Sequence, residues 1–136
     1  QRATGSGPNS LILHRDARTF TILNLYPYTT GHLMVIPYRH LPRFGALDAE
    51  ERSEVARGLA RAEAVLRRVA GARFLHAGIN LGRAAGAGVE GHLHVHLVPR
   101  GLSAAWGGPE EVAGEDLPLP LEEVFARLQP HFARMA

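Results

Sequence analysis

The run GHLHVHLVPRG at 91–101 sets His92, His94 and His96 on alternate positions, with Leu93, Val95 and Leu97 between them. A strand sends every second side chain to the same face, so this run predicts one face of three imidazoles and an opposite apolar face. Three imidazoles side by side are poor core material, because each ring brings polar nitrogens that need partners. They need a common task, and the fold must supply a sheet with one packed face to hold them.

The rest of the chain reads as the parts of such a sheet. LILH (11–14) and TFTILNL (19–25) are apolar, partly β-branched runs separated by RDAR, which predicts a hairpin. HLMVIP (32–37) predicts a third strand ended by Pro37. Asp48 followed by Glu51 has capping-box spacing, and Val55, Leu59, Ala62, Leu66 and Val69 then mark one side of a long helix that Gly71 ends. RFLHAGINL (73–81) predicts a strand, GRAAGAGVEG (82–91) a glycine-rich loop, and HLHVHLVP (92–99) the last strand. Residues 101–119 have no period and read as a long loop, after which Leu121, Val124, Phe125 and Leu128 predict a short closing helix with Pro120 near its first turn. The expected fold class is α+β, an antiparallel sheet of about five strands with one long central helix and a short C-terminal helix. We expect residues 1–10 to be a flexible lead-in and 11–136 to be a single domain.

Composition removes several chemistries. The chain has no cysteine, which excludes disulfides and thiolate metal sites. All 15 of its basic residues are arginine, so there is neither a P-loop lysine nor a Schiff-base lysine. The net charge of +2 is slight and the arginines are scattered, which speaks against a nucleic-acid polymer as partner. No apolar run approaches bilayer length and no signal-peptide pattern is visible, so we expect a cytoplasmic protein with no membrane partner.

The histidine row then admits three readings. Three surface residues in register on a solvated strand is the plainest. A second is a shared metal ion, since histidines at i and i+2 of a strand can bind one zinc, as in a metal-binding β protein of cupin type; Glu90 is the only nearby acid. The third is nucleophilic catalysis: one neutral imidazole attacks phosphorus while its neighbours donate hydrogen bonds to non-bridging and leaving oxygens. The glycine-rich loop just upstream would offer backbone N–H groups to the phosphate.

His92-Leu93-His94-Val95-His96-Leu97-Val98 resembles the signature of the histidine triad family of nucleotide hydrolases and transferases. NLYPYTTGHLMVIPYRH (24–40), the helix and RFLHAGINLG are similar to the family's other segments, so the resemblance covers roughly residues 11–100. It implies His94 as the nucleophile at the α-phosphorus, His96 beside the bridging and leaving oxygens, His92 as an orienting residue and His32 as the upstream support of the triad. It also implies Asn24 on the ribose hydroxyls, Leu25 beside the base, and Asn80 with Gly86, Ala87, Gly88 and Val89 along the phosphate path. His14, His40, His76 and His131 match no role. The scheme needs no cofactor and no metal, although a substrate could arrive with Mg²⁺. Relatives commonly form homodimers through the helix and the sheet edge, and we expect the same here.

Within the family, NLYPYTTGHLMVIPYRH and INLGRAAGAG most resemble the bacterial branch acting on diadenosine tetraphosphate, which includes phosphorolytic enzymes. That branch often carries a cysteine pair with a structural zinc, and an aromatic directly after the Pro-Arg that follows the triad. This chain lacks both: Pro99-Arg100 leads into GLSAAWGG, displacing the aromatic to Trp106. Gly88 and Val89 offer only backbone groups where other branches have Gln, Ser or Thr. A nucleotide sensor that kept the pocket without turnover is the remaining alternative.

Overall fold

Alternating apolar runs and one long amphipathic stretch give five strands and two helices among the described residues of the computed structural model, 11–25, 30–79, 81, 92–106 and 119–134. In chain order they are β1 (Ile12–Arg15), β2 (Thr19–Leu23), β3 (Leu33–Pro37), α1 (Ala49–Val69), β4 (Phe74–Ile79), β5 (Val95–Arg100) and α2 (Leu121–Arg134). The strands form one antiparallel sheet in the order β1-β2-β3-β5-β4. The expected α+β architecture is therefore observed.

The alternation of side chains divides the sheet into two faces. Leu13, Leu23, Leu33 and Leu97 turn toward the helices and meet Ala62, Val65 and Leu66 of α1 and Val124, Leu128 and Phe132 of α2. Full burial of one such leucine or phenylalanine is worth about 1.5–3 kcal/mol. Gly58 lets α1 lie close on the sheet, since a Cβ there would stand 3.2 Å from a methyl of Val35. The capping box read from Asp48 and Glu51 is complete: Glu51 N–H donates to the Asp48 carboxylate at 2.8 Å, and Asp48 N–H donates to Glu51 at 2.9 Å. At the other end Gly71 takes φ +70, the left-handed conformation that closes a helix.

One expectation needs correction. The last strand pairs only from Val95, so His92 and His94 stand in the extended segment ahead of the ladder. The short closing helix is observed and runs through Pro130 to Arg134, with Phe132 wholly buried; burial of that ring offsets the hydrogen bond that proline removes. At the start of the 101–119 segment, Leu102 and Trp106 are buried in the main core, Trp106 from a short 3₁₀ turn at Ala104–Trp106.

Candidate active site

The sheet face away from the helices carries the histidines, and strand register decides what stands beside them. One row across that face reads Ile12, Ile22, Met34, His96, Gly78, each directly opposite the next on neighbouring strands. Ile12, Phe20, Ile22 and Ile36 form a buried apolar cluster on this side, with Leu11 and Met34 against it. The histidine row thus runs along an apolar floor.

Five imidazoles line up along one path. Ring centroids lie 4.8 Å apart for His40 and His92, 5.5 Å for His92 and His94, 6.2 Å for His94 and His96, and 5.1 Å for His96 and His32. Leu93 N–H donates to the Leu41 carbonyl at 2.7 Å, which fixes the segment ahead of β5, so the alternation continues although the ladder has not begun. His40 was given no role from the sequence. The only local signal for it was its place just beyond Pro37, and its approach to His92 depends on how the chain turns after β3.

The hydrogen bonds link the rings to the backbone and to one another. His92 Nε2–H donates to the Pro37 carbonyl at 3.0 Å, since a carbonyl can only accept. Backbone pairing of Asn24 N–H with the His32 carbonyl, 2.9 Å, brings the Asn24 amide against the His32 ring. The amide nitrogen is 3.2 Å from His32 Nδ1 and 3.4 Å from Nε2, and His32 Nε2 is 3.0 Å from His96 Nδ1. With Nδ1 of His32 accepting from the amide NH₂, the nearer contact, its Nε2–H donates to His96 Nδ1 and neutral His96 then carries its proton on Nε2. The chain Asn24, His32, His96 therefore presents an N–H on the open side of His96.

The environment keeps these rings neutral. Burial, and then the neighbouring His92 and His96, push His94 down to about 4. Burial and the adjacent His96 push His32 down to about 4. Burial lowers His96 as well. Desolvation disfavours the imidazolium, and each neighbouring ring disfavours a second positive charge. No hydrogen bond from a described residue engages the His94 ring, so a lone pair is free for attack.

Arg39 holds this end of the site to α1. Its guanidinium donates two bonds of 2.7 Å to the buried Glu51 carboxylate. The Arg39 pair, together with the Asp48 backbone bond, holds the Glu51 carboxyl down to about 2.

Of the residues singled out in the sequence, His32, His92, His94, His96 and Asn24 are brought together. Leu25 lies next to Asn24 and is exposed. Asn80, Gly86, Ala87, Gly88 and Val89 lie outside the described residues. Trp106 is removed from consideration as a base-stacking group: it is buried, with the Arg127 guanidinium 4.9 Å over its ring. The open five-stranded sheet carrying a 21-residue helix is not a cupin-type barrel, which sets that alternative aside.

Residues 7–101 match the HIT domain family. The AP-4-A phosphorylase of Mycobacterium tuberculosis is 39% identical over 103 residues, which is 76% of this chain and 50% of that protein. The bis(5'-nucleosyl)-tetraphosphatase [asymmetrical] of Schizosaccharomyces pombe is 33% identical over 91 residues, 67% of this chain and 50% of that protein. The chain thus spans about half the length of these curated relatives. Among solved structures, a zinc-bound histidine triad family protein from Mycobacterium smegmatis superimposes with a TM-score of 0.69 at 26% identity, covering 92% of this chain and 85% of that one.

Proposed function

The chain belongs to the HIT domain family, and from that premise we propose that it cleaves a dinucleoside polyphosphate, or another nucleotide conjugate, at the α-phosphate through a nucleotidyl-histidine intermediate. The observation that carries the reading is the pairing of a neutral His94, hydrogen-bonded by no described residue, with His96, whose Nδ1 is held 3.0 Å from His32 Nε2. A ring nitrogen of His94 attacks the α-phosphorus and the P–O bond to the departing phosphate breaks. The electron pair leaves with the bridging oxygen, which departs as the phosphate anion while a ring N–H of His96 donates a hydrogen bond to it. Water or inorganic phosphate then attacks the same phosphorus, releasing His94 and yielding a nucleoside mono- or diphosphate.

A polyphosphate is a good leaving group, so a hydrogen bond from His96 to the departing oxygen is sufficient. The harder demand is to let a nucleophile approach an anionic phosphorus, which donors around the equatorial oxygens ease. We assign that task to Asn80 and the backbone of Gly86, Ala87, Gly88 and Val89. Asn24 takes the ribose and Leu25 the base. His92, fixed by the Pro37 carbonyl, orients the His94 ring beside it. Mg²⁺ enters this scheme only as a companion of the substrate. We further propose a homodimer working in the cytoplasm; among the described residues no helix is long and apolar enough to cross a membrane.

The test is incubation with diadenosine tetraphosphate, with and without inorganic phosphate. His94→Ala should abolish turnover while leaving nucleotide binding largely intact, and mass spectrometry of the unmodified protein should find AMP on His94. ADP formed only with phosphate identifies a phosphorylase; AMP plus ATP in either case identifies a hydrolase. Near-normal turnover by His94→Ala would remove the mechanism. Binding without turnover by the unmodified protein would leave a sensor.

A further inference from the structure

If the substrate is a dinucleoside polyphosphate, half of it departs as a nucleotide, and that half needs a seat of its own. Trp106, buried against α2, cannot provide one. The edge strand β4 offers a different surface. Phe74, His76 and Gly78 of β4 stand opposite Arg100, Val98 and His96 of β5. Leu75 and Ile79, between them, pack on the core clusters of the helix side. Alternation therefore places Phe74, His76 and Gly78 on the face that carries His96.

Gly78, directly across from His96, is exposed, and a Cβ there would meet no atom of the described residues within 4 Å. No β4 side chain walls His96 off from the sheet edge. His76 and Phe74 follow at steps of about 7 Å along the strand. Both are exposed, with ring centroids 6.0 Å apart at an interplanar angle of 82°. Phe74 leaves 52% of its surface to water. Arg100, opposite it and on the same face by alternation, is exposed and makes no ion pair with a described residue. A lone exposed apolar residue would be ordinary. An exposed phenyl, an imidazole and a free guanidinium in one line from the candidate catalytic row form a surface that matches phosphates followed by a base.

We infer that the site face of β4 seats the leaving nucleotide. Its polyphosphate crosses the gap at Gly78 toward His76 and Arg100, and its base stacks on Phe74. This rests on the reading of His94 as nucleophile, and the experiment separates the two. The unmodified protein, Phe74→Ala and Phe74→Trp are each assayed with diadenosine tetraphosphate and with the p-nitrophenyl ester of AMP, which has the same transferred half and no second base. Phe74→Ala should raise KM for the tetraphosphate about tenfold, the scale of one base–aromatic stack, with the penalty confined to that substrate. Phe74→Trp should restore the KM. Equal effects on both substrates, or no effect on either, would overturn the seat while leaving His94 in place. Turnover of neither substrate by the unmodified protein would overturn the reading of the site and the seat with it.

Discussion

At the scale of single residues, the site depends on imidazoles that stay uncharged where free histidine would not. His94 and His32 are held at about 4, against 6.5 for the unhindered group. Between those values the unfolded chain binds protons that the folded chain does not, so stability rises with pH there and falls on acidification from about 6.5 to about 4. The same shift keeps the nucleophile neutral. kcat/KM should therefore stay level through pH 6.5 and fall only as the pH approaches 4, while the denaturation midpoint already declines across that interval. A pH–rate profile beside urea melts at each pH tests both; an acid limb centred near 6.5 would contradict the burial that lowers His94. Further down, Glu51 adds a second loss in the same direction, since its folded carboxyl sits near 2 against 4.5 and its contribution disappears as pH falls through that window.

At the scale of elements, the N-terminus of α1 serves two purposes. The capping box between Asp48 and Glu51 satisfies helix N–H groups, and its spacing was legible in the sequence. The same Glu51 carboxylate grips Arg39, which precedes His40, and that link was not legible, because it joins a loop to a helix across 12 positions. Asp48→Ala should cost about 1 kcal/mol of stability and leave turnover unchanged. Glu51→Gln keeps an acceptor for the Asp48 N–H but releases Arg39. It should cost about 1–2 kcal/mol and also lower kcat several-fold as His40 and His92 lose their fixed geometry. Thermal melts and turnover of both variants decide this, and a Glu51→Gln protein that is destabilised but fully active would sever helix from site. β5 gives the complementary lesson. Its alternation was evident in the residues, yet regular pairing starts only at Val95 although β3 runs on to Pro37, because Leu93 N–H and His92 turn instead to the Leu41 and Pro37 carbonyls.

At the scale of the whole molecule, β4 is one of the two edges of the sheet, the one beside the histidine row. It pairs with β5 on one side only, and Phe74 and Leu81 near its ends are about half exposed. An edge of this kind presents unpaired backbone groups that another strand can take up. The proposed homodimer would use it, pairing β4 with its copy while leaving the sheet face above Phe74 and His76 open. Sedimentation at micromolar concentration should give a dimer; monomer alone would sink the proposal.

What the sequence by itself determined was local: the period of two that lines up His92, His94 and His96, the apolar stripe of α1, its cap at Asp48 and its glycine stop. Each depends on residues a few positions apart, whose geometry follows from strand and helix pitch. The signature was also sufficient to place the chain in its family. Only the tertiary structure decided that Asn24 and His32 join His96 in one hydrogen-bonded chain, that His40 extends the row, and that Trp106 belongs to the core. Those outcomes are set by the pairing of β3 with β5 and the packing of α2 against β1 and α1. Register and packing are fixed by burial summed over the whole sheet, and no short stretch of the chain carries that sum.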